Sequence, residues 1–468
     1  MLRHRVSRKL TFALRFTGFL VAGLACTDAR LEVTSGTAFV DVSVVDVLNG
    51  QIIEGQTVIL QVDRIFAVEP SERVVLGDEV FTIQGSGKYL IPGLWDMHAH
   101  AIDRDGKDLF PELFVANGVT GIREMWGDLE IAEDIRSEAG EGRRVIPRLV
   151  VAGNLIEGKD PFWPGSNVAS TPEAGRALVD SLVAAGAGFI KVYHTLEPEV
   201  FFAIADQASK IGIPFVGHVP IGVTVSQAAD VGMRSIEHAI TLFYDCAIEK
   251  DAPSLQAYQG GWDEGECAAV AEQLRRNGTW YVPSLVTERG YAFLDTQEFQ
   301  SDPRLRFMPD FIRSWWLPEN DLFGSEYTAE DWLTAKEGYS HVVDVTSFLA
   351  DQGVQILAGS DTPNAYAFPG FGLHDELEIL VKAGLTPLQA LRAATIDAAR
   401  FLEATDTLGS VEPGKVADLV LLGGNPLEEI SNTREILAVV LNGRLLDRDD
   451  LDGLLAWAEE KAKELKES

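Results

Sequence analysis

Between residues 38 and 91, short β-branched runs (39–47, 57–62 and 80–83) are cut by the turn signals Asn49-Gly50 and Gly85-Ser86-Gly87. Asn-Gly between apolar runs is a strong hairpin signal, so this stretch is predicted to form a small antiparallel sheet. After Pro92 the texture changes: apolar runs at 118–125, 148–152, 188–193, 214–217, 235–237, 280–285 and 355–358 alternate with helical stretches such as 173–185 and 226–231. With a strand ending at Met97 these make eight βα units. That is the pattern of a parallel (β/α)8 TIM barrel whose working face lies at the strand C-termini. From Leu408 the β texture returns, at 416–422 and 436–441, with Gly443 at a turn. The expected α/β architecture is a barrel over 93–404 inserted into a small β-sandwich built from 33–92 and 405–447, followed by a charged terminal helix over 448–468.

The barrel face gives meaning to the polar residues that end its strands. In Pro92-Gly-Leu-Trp-Asp-Met-His98-Ala-His100, histidines two apart on a strand point to the same side. Neutral imidazole is a common zinc ligand, yet two polar residues at a strand end explain the pair equally well. Two more of the eight histidines end predicted strands, His218 in Phe-Val-Gly-His and His238 in Ser-Ile-Glu-His, and Asp361 ends the last strand in Gly-Ser-Asp-Thr-Pro. Groups at the ends of strands one, five, six and eight of a barrel converge on one point, as scattered core histidines would not. Lys191, inward on the fourth strand, is the remaining group. Its ammonium has no lone pair for a metal. It either pairs with a nearby carboxylate or reacts with carbon dioxide to give an anionic carbamate able to bridge two ions. His4 and His341 fall outside this set, and no glycine pair has the strand–GxGxxG–helix setting of a nucleotide site.

These residues resemble the amidohydrolase superfamily, specifically its binuclear branch related to imidazolonepropionases, prolidase-like dipeptidases and arginine carboxypeptidases. The likeness extends to Leu-His374-Asp-Glu-Leu-Glu, Ala-Gly-Leu-Thr-Pro-Leu-Gln-Ala-Leu and Leu-Gly-Ser-Val-Glu-Pro-Gly-Lys415-Val-Ala-Asp418-Leu-Val. The resemblance implies two divalent metal ions, expected to be zinc. His98, His100 and Asp361 would hold one and His218 and His238 the other, with CO2-carboxylated Lys191 and a hydroxide bridging them. It also implies that Asp361 is general base and acid for cleavage of a C–N amide bond in a dipeptide, an N-acyl amino acid or a cyclic amide. Ester, lactone or phosphotriester cleavage at the same centre, or a binding protein that has lost catalysis, are the alternatives. Where peptidase-like relatives carry a tyrosine two residues after the strand-five histidine, this chain has Pro220. Tyr193, His194, Arg123 and His374 are the candidates to contact substrate in its place, with packing or support of the ligands as the competing role for each. The long segment 288–339, with Trp315-Trp316, either lids the site or forms a small core of its own.

Composition narrows the setting. With 71 acidic against 39 basic side chains the net charge is −32, which excludes a nucleic-acid partner, since that needs clustered Lys and Arg. Arg3, Arg5, Arg8, Lys9 and Arg15 precede an uncharged apolar stretch, 16–25. A basic start before such a core reads as a secretory signal over residues 1–25 and an exported, periplasmic or membrane-anchored protein. Cys26 stands where a lipoprotein-type tether would attach. Cys246 and Cys267 would then remain as an even pair, either bridged or as separate thiols. A small-molecule substrate and a homo-oligomer complete the expected partners.

Overall fold

The computed structural model describes residues 30–102, 106–250, 254–321 and 324–465. The expectations for the signal segment, Cys26 and residues 466–468 lie outside them. The protein is α/β with parallel sheets at its centre. Strands Leu94–Ala99, Val119–Glu124 and Arg148–Val151 form one parallel sheet. Ile190–Val192, Phe215–Gly217, Ser235–Glu237 and Trp280–Val282 run parallel in a second. Backbone hydrogen bonds join the two: Gly188 N–H donates to Val151 O at 2.8 Å on one side. On the other, Leu357 N–H donates to Tyr281 O and Met97 N–H to Ala358 O, both at 2.9 Å. The succession of neighbours thus returns to the strand on which it began.

Seven of the eight expected strands form regular elements. The stretch 355–358 makes only an isolated parallel bridge, Tyr281 to Ile356. Its backbone is held by a side chain as well as by a neighbouring strand: Asp96 accepts from Ser360 N–H at 2.9 Å and from Ser360 Oγ at 2.5 Å. A β-carbon on Gly359 would lie 2.7 Å from His98 Cβ, so only glycine lets this segment pass so close to the first strand. A short parallel pair, Ile156–Glu157 with Asn167–Val168, was not expected from the pattern; two-residue strands carry no readable period.

The flanking segments meet directly. Tyr89–Pro92 pairs antiparallel with Leu419–Leu422, and together they belong to one eight-stranded sheet that also contains Gly36–Asp46, Gln51–Gln61 and Ile436–Leu441. The hairpin expected at Asn49-Gly50 is present, with Asp46 facing Gln51 and accepting from the Leu48 and Asn49 amides. The sheet is mixed rather than antiparallel. Val80–Gln84 and Tyr89–Pro92 run parallel to Gly36–Asp46, because the chain first crosses over through 71–76 and re-enters in the original direction. Phe39, Val58, Leu60, Leu90, Leu419 and Val440 pack into one cluster drawn from both chain ends. The terminal helix, Arg448–Glu464, opens on an Asp447 capping box and buries Leu451, Ala458 and Ala462. Among the described residues no helix is long and apolar enough to cross a membrane.

Cys246 and Cys267, both fully buried, form a disulfide with their Cα atoms 4.7 Å apart. It ties the end of helix Ala239–Cys246, which begins next to His238, to helix Glu264–Asn277. Replacing both cysteines by alanine is expected to remove about 2–4 kcal/mol of stability, read as a lower urea midpoint, with the difference from wild type vanishing under reductant.

Candidate metal centre

His98, His100, His218, His238, Lys191 and Asp361 come together at the ends of the parallel strands. One ligand atom each of His98, His238 and Asp361 lies within 4.8 Å of the others. His98 Nε2 is 3.2 Å, and His100 Nε2 3.1 Å, from the same oxygen, Asp361 Oδ1, while His238 Nδ1 is 3.6 Å from Oδ2. Lys191 Nζ lies 3.4 Å from His98 Nε2. The His218 ring packs 4.6 Å from that of His238, centroid to centroid. His238 (φ 69°) and Asp361 (φ 53°) are both left-handed, as is Ser284 (φ 50°) just after the seventh strand. Such backbone strain collects at functional sites because the surrounding fold has to enforce it.

Electrostatics prepares these groups for cations. Burial pushes the imidazoles down: His218 well below its ordinary value, His238 to about 3, and His100 in the same direction. They are therefore neutral at pH 7, with lone pairs free for a metal. Burial alone would raise Asp361, but His238 and His98 hold it well below the usual carboxylate range. Burial lowers Lys191 to about 8, against the pull of Glu237 and Asp361, so a free-base amine is accessible near neutrality. His98 Nδ1 lies 2.9 Å from Glu237 Oε2, and donation there leaves Nε2, 3.2 Å from Asp361 Oδ1, as the nitrogen presented to a metal. The buried Nδ1 of His100 has no hydrogen-bond partner. This donor set fits divalent metal.

Glu237 and Asp96 are supporting residues for which alternation was the available signal: Asp96 is in step with His98 and His100, and Glu237 with Ser235, whose hydroxyl it meets. His238 is the residue out of step, and its left-handed backbone lets its ring share the inward side with Glu237. Glu237 is fully buried; burial raises it, yet Arg123, His98 and Lys191 together outweigh that and keep it ionised.

Two of the four substrate candidates are elsewhere. Arg123 is wholly buried beneath the ligands: one terminal nitrogen meets both Glu237 oxygens at 2.8 Å, the other meets Ser235 Oγ at 2.9 Å, and Nε donates to Met97 O. It holds a ligand's partner in place and faces no open space. His374, 1 % exposed, spends Nδ1 on Thr433 Oγ1 and Nε2 on Asn117 O, each at 2.9 Å. Its role is to lock helix Phe371–Lys382 to its neighbours. His374→Leu is accordingly expected to cost about 1–3 kcal/mol for each buried partner left unsatisfied while leaving KM within about twofold, checked by denaturation and steady-state kinetics side by side.

Tyr193 and His194 do border the cluster, with ring centroids 4.1 and 6.0 Å from His218. Trp163 Nε1 donates to the Tyr193 oxygen at 3.0 Å, a contact with a loop residue that no period announces. In the segment after the seventh strand, Trp316 is core, packing on Tyr366 and Phe368 and donating to Pro363 O. Its neighbour Trp315 reaches the Trp163 ring at 6.1 Å.

A family model described as the amidohydrolase family matches residues 180–446. Short stretches resemble characterised relatives. The chain is 44% identical over 70 residues to an imidazolonepropionase of Pyrobaculum arsenaticum, covering 14% of this chain and 17% of that protein. It is 28% identical over 105 residues to an adenine deaminase of Clostridium botulinum, covering 22% and 16%. The chain thus spans less than a fifth of the length of these relatives. Among solved structures, a putative prolidase from Bifidobacterium longum shares the fold with a TM-score of 0.68 at 23% identity, over 91% of this chain and 99% of that one. A bottromycin amidohydrolase does so with a TM-score of 0.72 at 24% identity, over 91% and 90%.

Proposed function

The chain belongs to the amidohydrolase family, and on that premise we propose that it is a metal-dependent hydrolase of C–N amide bonds, working at the strand ends of an eightfold βα barrel. The observation that carries this reading is the meeting of His98, His238 and Asp361 ligand atoms within 4.8 Å, with the His238 imidazole held neutral. His98, His100 and Asp361 would hold one ion, His218 and His238 a second, and Lys191 as a carbamate would lie between. Such a pair, when bound, supplies Lewis acidity to a carbonyl and lowers the pKa of water.

The protein's own groups do the rest. Asp361, kept ionised at neutral pH, takes the proton of the attacking water and returns it to the leaving nitrogen. Glu237 accepts the Nδ1 proton of His98 and so fixes the tautomer that presents Nε2. Tyr193, raised by burial, stays a phenol. Because its oxygen already accepts from Trp163, its proton can be given to the substrate carbonyl oxygen, the task left open by Pro220. The substrate class is a dipeptide, an N-acyl amino acid or a cyclic amide. The buried Cys246–Cys267 bridge supports an exported protein in an oxidising compartment.

Matched amides and esters of one acyl group test the reading. The amides should be turned over by the metal-loaded protein, and turnover of the esters alone would replace it with ester or lactone cleavage.

A further inference from the structure

Beside the metal-ligand cluster four aromatics meet, three from loops and Trp315 from the end of helix Asp310–Trp315. The Trp163 ring centroid lies 5.0 Å from Phe162, 5.7 Å from Trp126 and 6.1 Å from Trp315, the last at right angles. Phe162 is in turn 6.2 Å from Tyr193, whose ring is 4.1 Å from His218. An aromatic surface therefore runs outward from a metal-ligating position without a break. It is not a closed core: Phe162 is 38 % exposed, and Trp126, Trp163 and Trp315 are each half-buried. Large rings left in contact with water on the working face of an enzyme are surface kept for something.

The surface is also held in shape. The fully buried carboxylate of Glu157 accepts from the backbone N–H of Phe162 and of Trp163, both at 3.0 Å. Ser166 Oγ donates to Trp163 O at 2.9 Å, and the indole N–H is fixed on Tyr193. A preorganised aromatic wall binds with little ordering cost. Both Glu157 oxygens are spent on amides, so this carboxylate is not offered as a counter-ion to a cationic guest.

We propose that Trp126, Phe162, Trp163 and Trp315 form a specificity subsite that takes a large apolar or aromatic side chain of the substrate next to the scissile amide. This deepens the amide-hydrolase reading by naming the kind of side chain, and it rests on that reading for the identity of the site. Isothermal titration of the zinc-loaded protein with N-acetyl-phenylalaninamide, N-acetyl-alaninamide and N-acetyl-lysinamide tests it without requiring turnover. The phenylalanine compound should bind about tenfold or more tighter than the alanine one, as burial of a large apolar side chain allows. That ratio should fall at least threefold in both Phe162→Ala and Trp315→Ala, two half-open positions whose melting temperatures check folding. A smaller wild-type ratio, tightest binding by the lysine compound, or a ratio retained in either variant overturns the subsite. Preference without hydrolysis of any amide would leave the subsite standing and remove the proposed activity instead.

Discussion

Asp361→Asn is expected to lower kcat by about 10²–10⁴-fold, the range supplied by a positioned acid–base group, while most bound metal stays in place. The reason is geometric. Asp361 Oδ1 sits within 3.2 Å of both His98 Nε2 and His100 Nε2, so the side chain stands where a ligand and a proton acceptor are both needed. Asparagine keeps one oxygen to offer a metal but cannot hold the transferred proton. Turnover and metal content measured on the same sample separate the two roles, and near-normal kcat in this variant would remove Asp361 from proton transfer.

The largest effect on stability is expected from Arg123→Met. Arg123 is the counter-charge to Glu237, and both are at 0 % exposure. Removing one member of a buried pair leaves the other uncompensated, which costs about 3–5 kcal/mol. Glu237 also receives the Nδ1 proton of His98, so loosening it should weaken metal binding about 10–100-fold, as loss of an outer-shell partner typically does. Chemical denaturation and competition against a chelator read the two quantities. Loss of stability under about 1 kcal/mol would mean that Glu237 takes up a proton and the pair is dispensable.

The candidate ligand positions were legible in the sequence because all but Asp361 stand at or within one residue of a strand end, and Asp361 follows three residues after the last extended run. His98 and His100 needed only alternation, and His218, His238 and Asp361 only their place after an apolar run. Lys191 followed from being inward on its strand. Much of what surrounds them was hidden. His238 shares the inward side with its neighbour Glu237 because its own backbone is left-handed, a conformation no hydropathy pattern encodes. Arg123 reads as a polar residue at a strand end, and only the fold reveals that it lies beneath the ligands in contact with Ser235 and Glu237. His374 sits in the family-like motif, yet its helix carries it to Asn117 and Thr433. Glu157 ends a two-residue strand and Trp163 lies in the irregular chain after it, where partners are set by three-dimensional proximity alone. The same is true of the Cys246–Cys267 bridge: spacing left pairing open, and helix packing closed it. The mixed sheet shows the limit for strands as well, since residue pattern reports which segments are extended but not the direction in which the chain re-enters.

The proposed dinuclear centre is tested most directly by stripping the protein with a chelator and titrating zinc back, with bound zinc per chain and hydrolysis of a dipeptide or N-acyl amino acid followed in one sample. Activity should be absent from the stripped protein and should rise to a plateau at two zinc ions per chain. Hydrolysis that survives stripping, or saturation at one ion or fewer with full activity, would contradict it.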